Sequence, residues 1–308
     1  MELWVCGFNA WGQLEFEKKL DWSDPPKDFV HFQKALVDEQ IEFVQGRAEW
    51  TLVKTSSGHR VSGHPNARKD DALLQLLLDA PSSLVASNDT ETWLVSPENP
   101  STVTLSHTYN NNTPEPSHTL PSTISQLLAN STAFQALTAT GDVYSWGQAR
   151  FPHLLGRDIT PGSPAGTPCP VTSLQDLPTG PIRHVASGPN MTAAITTGND
   201  LYIYGQRSEG PGLIPMFDEG GMLDGDVQSV DVGGHDVREV TCGKNHMLVL
   251  TMEDRLFVMG TNGSGQLGLG EGVKCEEWRE VKLPLGRGLR IVSLHTGYKN
   301  SFAVVDKI

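Results

Sequence analysis

Residues 256–270 read LFVMGTNGSGQLGLG, and two frames compete for them. In the first, Gly263, Gly265 and Gly268 spell G-x-G-x-x-G behind an apolar run, the fingerprint of a loop that cradles a dinucleotide pyrophosphate. In the second, the eight residues from Gly260 to Leu267 (GTNGSGQL) align with Gly7 to Leu14 (GFNAWGQL). That alignment sets Gly263 against Ala10 and Gly268 against Glu15, so two of the three pyrophosphate glycines do not recur. What recurs is G-x-N-x-x-G-Q-L. The residues that follow, LGLGEGVKCEEWREVKLP, also supply no helix to aim amide dipoles at a phosphate. Repetition decides the frame, and it removes a nicotinamide or flavin cofactor from the expectation.

The repetition extends upstream. Gly243 stands 17 residues before Gly260, Gly188 17 before Gly205, Gly46 17 before Gly63, and Asn130 17 before Gly147. Leu250-Thr251, Ile195-Thr196 and Leu137-Thr138 hold equivalent places. In each module an apolar run meets a polar turn (Glu253-Asp254, Gly198-Asn199-Asp200, Gly141-Asp142), and a second apolar run ends at glycine. This is strand, tight turn, strand. The closing glycine suits a bend or a neighbour too close for a Cβ.

The two ends of the sequence complete one another. Residues 291–308 carry the first half of a module, with Gly297, Phe302 and Val304, and residues 1–16 carry the second half. Joined, the interval from Gly297 to Gly7 is 18 residues. An open solenoid would want polar caps; a ring closed by pairing 1–16 with 291–308 explains the halves. The modules occupy 291–308 with 1–16, 41–66, a degenerate 84–106 with Asn88 in the glycine position, 126–157, 182–210 and 237–270. Insert loops fall at 17–40, 107–122, 158–181 and 207–236. Six modules in 308 residues average about 51 each, near the size of a four-stranded propeller blade. The expected fold is all-β, a closed β-propeller forming a single domain over 1–308, with a seventh, diverged blade left open as an alternative.

Gly260-x-Asn262-x-x-Gly265-Gln266-Leu267-Gly268, preceded by Val240-x-x-Gly243-x-x-His246, resembles the repeat of the regulator of chromosome condensation family. The resemblance is specific at 237–270 and thin at 41–66 and 84–106; WD-repeat and kelch patterns fit less well. It implies a protein-binding propeller, not an enzyme: an adaptor or regulatory subunit. The alternative it implies is a guanine-nucleotide exchange factor for a small Ran-like GTPase, or a chromatin-associated regulator. The implied structural positions are Gly7, Gly12, Gly46, Gly63, Gly147, Gly188, Gly205, Gly243, His246, Gly260, Asn262, Gly265 and Gly297.

Bulk properties agree. The chain has 23 basic and 36 acidic residues, a formal net charge of −13, and no basic tail, so direct nucleic-acid binding is not expected. No apolar run reaches the ~18–20 residues of a membrane helix, and the N-terminus lacks a signal-peptide pattern. The expected location is cytoplasmic or nuclear, and the expected state monomeric. Cys6, Cys169, Cys242 and Cys275 are too widely spaced for a zinc or disulfide framework. No Ser/His/Asp or Cys/His arrangement emerges, so no catalytic, metal or cofactor residue is expected. His246 shares its slot with Met191 and Ala133, which points to packing.

Binding residues concentrate on loops held by a rigid scaffold. The insert 207–236 is rich in carboxylates, with apolar anchors among them. Glu209, Met216, Phe217, Asp218, Glu219, Asp224, Asp226 and Asp231 are the candidate partner-binding residues, suited to a protein with a basic surface or a small GTPase. Residues 17–40 read as a short amphipathic helix with Phe29, Phe32, Leu36 and Val37 on one side, and 70–80 reads as a second helix.

Overall fold

Runs rich in Val, Ile, Leu and aromatic residues, punctuated by Gly and Asp, fold into short antiparallel strands. The computed structural model describes residues 1–17, 23–64, 68–79, 83–88, 90–106, 116–205, 226–272 and 275–308. In chain order the strands are β1 (Glu2–Gly7), β2 (Phe29–Val37), β3 (Ile41–Gly46), β4 (Trp50–Thr55), β5 (Gly58–Gly63), β6 (Leu84–Ser87), β7 (Thr92–Val95), β8 (Thr102–Leu105) and β9 (Ser117–Thr119). They continue as β10 (Ile124–Ala129), β11 (Ala133–Thr138), β12 (Val143–Gly147), β13 (Cys169–Pro170), β14 (Ile182–Gly188), β15 (Met191–Thr196), β16 (Leu201–Gly205) and β17 (Gln228–Val230). The last are β18 (Val237–Cys242), β19 (His246–Thr251), β20 (Leu256–Gly260), β21 (Cys275–Val281), β22 (Leu289–Thr296) and β23 (Asn300–Lys307). Helix α1 spans Arg68–Asp79, over the stretch read as helical.

The described strands form six antiparallel sheets. Sheets β6-β7-β8-β9, β10-β11-β12-β13, β14-β15-β16-β17 and β18-β19-β20-β21 run in sequence order, and β3-β4-β5 has three strands. The sixth has the order β2-β1-β23-β22, so the N-terminal strand pairs with the C-terminal one, Leu3 opposite Val304 and Val5 opposite Phe302. The sheets fall into two compact units. One holds the terminus-pairing sheet with β3–β5 and β18–β21; the other holds the remaining three sheets and α1.

In the first unit the terminus-pairing sheet is buried on both faces. Trp4, Cys6, Ala303 and Val305 pack on Leu248, Leu250 and Val258, while Leu3, Val5, Phe302 and Val304 pack on Ile41, Val44 and Val53. In the second unit Trp93, Phe134 and Trp146 interlock, with ring centroids 5.5–6.2 Å apart. Strands β11, β15 and β19 are buried along their whole length, which is why they read as near-continuous apolar runs.

Two local devices recur. Thr138, Thr196 and Thr251 end their strands, and each hydroxyl accepts a turn amide, from Asp142 at 3.1 Å, Asp200 at 3.1 Å and Arg255 at 3.3 Å. The first strand of five sheets also bulges at one place, between Ile41 and Phe43, Ile124 and Gln126, Ile182 and His184, Val237 and Glu239, and Ile291 and Ser293. Such a bulge frees a backbone N–H nearby. Gln126 Oε1 accepts the Val185 N–H at 2.8 Å, and Glu239 Oε1 accepts the Leu294 N–H at 2.9 Å.

The inserts differ from expectation. Each of the four contains the edge strand of a sheet: β2 in 17–40, β9 in 107–122, β13 in 158–181 and β17 in 207–236. The helix expected in 17–40 is instead strand β2. Leu36 lies opposite Leu3 and Lys34 opposite Trp4, so Ala35 is an extra residue that reverses the alternation. Phe32 therefore packs beside Cys6 on one face of the sheet and Leu36 beside Leu3 on the other. A spacing of four mimicked a helical stripe; the bulge produced it.

Candidate interaction face

The opening motif folds into a loop held by its own side chains. In G-x-N-x-x-G-Q-L the Asn side chain accepts the Leu amide five residues on, Asn9 from Leu14 at 2.9 Å and Asn262 from Leu267 at 2.8 Å. The Gln side chain accepts the amide two residues back, Gln13 from Trp11 and Gln266 from Ser264, both at 3.0 Å. Gly12 and Gly265, at φ 69° and 79°, make the turn between them. Amides that a pyrophosphate would need are thus already bonded, and Asn9, Gln13, Asn262 and Gln266 are buried.

In five of the six sheets a glycine closes the third strand and faces a carbonyl from the loop between the first two strands. An added Cβ would collide with Lys299 O at Gly7, Glu49 O at Gly63, Thr132 O at Gly147, Asn190 O at Gly205 and Asn245 O at Gly260. On the other side of these loops, the His246 ring occupies the space of a Gly243 Cβ. Gly46 lies against Gly297, 2.9 Å from an added Cβ to the Gly297 Cα, and Gly188 ends β14 in register with Met191. His246 is fully buried with Nε2 3.1 Å from Ser301 Oγ, and burial pulls its pKa down to about 4. Ser301 Oγ in turn donates to Gln266 O at 2.7 Å.

These loops are bonded to one another. Lys244 N donates to Tyr298 O at 3.0 Å, as Ser131 N does to Pro189 O at 3.1 Å in the other unit, and Phe8 N donates to Lys299 O at 2.9 Å. The residues between the buried anchors face outward. Tyr298 is 38% exposed, Lys299 is exposed, and Lys244 lies over the Tyr298 ring, Nζ 4.7 Å from its centroid and 2.5 Å from its hydroxyl. Trp11 and Arg47 are partly exposed on neighbouring loops of the same unit. An exposed cation–π pair of this kind contributes about 0.5–1 kcal/mol and holds an aromatic ring in a fixed pose. This is a preformed, locally basic patch on an acidic protein. Sequence reading passed over Lys244, Tyr298 and Lys299, although they fill the variable places in G-x-x-His and G-x-x-Asn, where a repeat displays its individuality.

Of the residues singled out in 207–236, Glu209, Met216, Phe217, Asp218, Glu219 and Asp224 lie outside the described residues. Asp226 and Asp231 are exposed at the two ends of β17. Asp226 borders a cavity of about 240 Å³ that Arg157, Ile159, Thr172 and Ser173 also line. Arg157 is a lock, not a ligand donor: its Nε, Nη1 and Nη2 are bonded to Ser145, Ser163, Pro164 and Thr167 at 2.7–3.3 Å. Its burial lowers its pKa. Cys6 and Cys242 are buried thiols, Cys242 pushed up to about 12 by desolvation. Among the described residues no cluster of three or more His, Cys, Asp or Glu could hold a metal, and no helix is long and apolar enough to cross a membrane.

Comparison with known proteins converges on one repeat. The model of the regulator of chromosome condensation (RCC1) repeat matches residues 237–266. The Arabidopsis thaliana mitochondrial RCC1 domain-containing protein RUG3 is 30% identical over 183 residues, covering 56% of this chain and 38% of that protein. Mouse Protein RCC2 is 31% identical over 196 residues, 56% of this chain and 36% of its own length. The chain thus spans less than two fifths of these relatives. Among solved structures, Prp20p from Saccharomyces cerevisiae aligns over 100% of this chain and 92% of its own, at 14% identity and TM-score 0.65. Human WBSCR16 aligns over 100% of both chains at 13% identity and TM-score 0.61. The fold class is an all-β, six-bladed propeller, and the six sheets are its blades.

Proposed function

Since residues 237–266 match the RCC1 repeat and the chain folds as a propeller, we propose that it is a non-enzymatic interaction module, an adaptor or regulatory subunit, and that the Lys244–Tyr298–Lys299 patch takes part in partner binding. The observation that carries this reading is the fixed pose of Tyr298 beneath Lys244 on loops bonded to their neighbours. A rigid aromatic next to a basic group is the composition of an interface anchor, because little entropy is lost when it docks. Prp20p is characterised by its binding to Gsp1p and histones, and yeast RCC1 (Prp20) has been crystallised with Kap60. Protein binding is the shared property brought to this chain. The acidic insert, with Glu209, Met216, Phe217, Asp218, Glu219, Asp224, Asp226 and Asp231, is proposed as a second contact, one that suits a basic surface. The compartment does not follow from the repeat, since one relative is mitochondrial.

Affinity purification with mass spectrometry compares the full chain with Tyr298→Ala, Lys244→Glu and a deletion of 210–225, which spares β17 and the buried Val232. Folding is checked by circular dichroism. Each folded variant is expected to lose at least one partner, and a partner set unchanged in all three removes the reading. The second reading, nucleotide exchange on a Ran-like GTPase, is favoured by the full-length alignment with Prp20p. A nucleotide-release assay on a GTPase panel separates the two. Acceleration by a catalytic amount of protein establishes exchange, and no acceleration leaves the adaptor.

A further inference from the structure

Among the described residues one blade has three strands where the others have four. The third strands β1, β8, β12, β16 and β20 are each covered by a fourth, namely β2, β9, β13, β17 and β21, whereas β5 is an edge with no partner among the described residues. Its register shows what that edge offers. Trp50 pairs with Gly63 and Thr55 with Gly58 without a bulge, and the His64 amide bonds Glu49 O at 2.9 Å. Hydrogen-bonded pairs alternate along an antiparallel ladder, so Ser62, Arg60 and Gly58 bond inward to β4. His59, Val61 and Gly63 therefore turn their N–H and C=O groups outward.

The side chains around this edge are specific. Val61 is 44% exposed, and His59, Arg60 and His64 are exposed as well. Arg60 Nη2 reaches Ser57 Oγ at 3.4 Å, whose hydroxyl donates to the Asp38 carboxylate, and Arg60 makes no direct ion pair with a described carboxylate. Edge strands are normally blunted by proline, lysine or a covering segment. This one has neither proline nor lysine and presents a β-branched side chain beside Arg60, with the imidazoles of His59 and His64 nearby in sequence.

We infer that β5 is a docking edge for an extended acidic peptide of a partner protein, which adds the blade's fourth strand by antiparallel pairing. The residue opposite Val61 is β-branched and apolar, because facing side chains share one surface of the sheet. The next two residues, opposite Arg60 and His59, are acidic. A second copy of this chain is the poorer occupant, since it would set basic edge against basic edge on two proteins of net charge −13.

The test measures fluorescence anisotropy of a labelled peptide, Ser-Thr-Val-Glu-Glu-Val-Thr, titrated with the full chain. Saturable binding is expected, weakened about tenfold or more (~1.4 kcal/mol) by Val61→Pro, by Arg60→Glu and by Lys in place of the peptide's Glu residues. Proline at 61 removes only an outward N–H, so the β4–β5 hairpin should survive, and a thermal melt checks this. If Val61→Pro proves unfolded, Arg60→Glu carries the test. Hydrogen exchange supplies the second readout: the His59, Val61 and Gly63 amides should exchange fast in the free chain and slow on peptide binding. No saturable binding, or binding indifferent to these substitutions, overturns the inference. Protection of the three amides in the free monomer overturns it in favour of a segment of this chain, and concentration-dependent dimerisation lost in Val61→Pro overturns it in favour of a second copy. Partner loss at Tyr298 is scored separately, so either site can fail alone.

Discussion

Gly260 and Gly263 lie three residues apart, and only one of them is constrained. Gly260 has φ +114°, and an added Cβ would strike Asn245 O; Gly263 is exposed with nothing within 4 Å of an added Cβ. Gly260→Ala is expected to destabilise the fold by more than about 1 kcal/mol in urea unfolding, and Gly263→Ala to stay within about 0.5 kcal/mol. A pyrophosphate loop would reverse that order. His246 supplies the pH dependence. Its folded pKa of about 4 lies below the ordinary 6.5, so the unfolded chain binds a proton that the folded chain does not. Its contribution is therefore complete above pH 6.5 and declines as pH falls toward 4, by an amount on the order of 3 kcal/mol. Denaturant midpoints between pH 4 and 7 should slope more steeply for the parent than for His246→Met, a residue that the sister slot at Met191 accommodates. Equal slopes would remove this assignment. The closing-glycine slots were legible because the steric demand at Gly7, Gly63, Gly147, Gly205 and Gly260 is short in range and recurs in five copies.

The strands tell a different story from the inserts between them. Second strands such as β11, β15 and β19 and third strands such as β12, β16 and β20 were readable because they are largely apolar and end at a recurring Thr or Gly. Edge strands such as Cys169–Pro170 and Gln228–Val230 were not, since they pair on one side only and need no apolar alternation. Phe29–Val37 was misread because the bulge at Ala35 shifts Leu36 to the opposite face. The bulges of the first strands were invisible for the same reason: an extra residue leaves no compositional mark. Their consequence is testable at Glu239, whose carboxylate accepts the buried Leu294 N–H. Glu239→Ala should cost about 1–3 kcal/mol, because that amide loses its acceptor. Glu239→Gln keeps an acceptor and should cost less, as calorimetry can show. Equal losses would mean that charge, and not the amide, sets the cost.

Across the chain, the repeat and the pairing of the two ends followed from spacing alone, whereas the choice of six blades over seven came from the sheets. A 17-residue interval between glycines is a strand, a turn and a strand, and that geometry is local enough to be written in every copy. Display is not local. Lys244 and Tyr298 come together because loops from two sheets bond to each other, and among the described residues no strand pairs with the outer edge of β5. The amino-acid order determined the blade, since steric and hydrogen-bonding demands within a module are short in range. Only the tertiary structure decided which loops meet and which edge has no partner among the described residues, since both depend on what each segment packs against after the blades have formed.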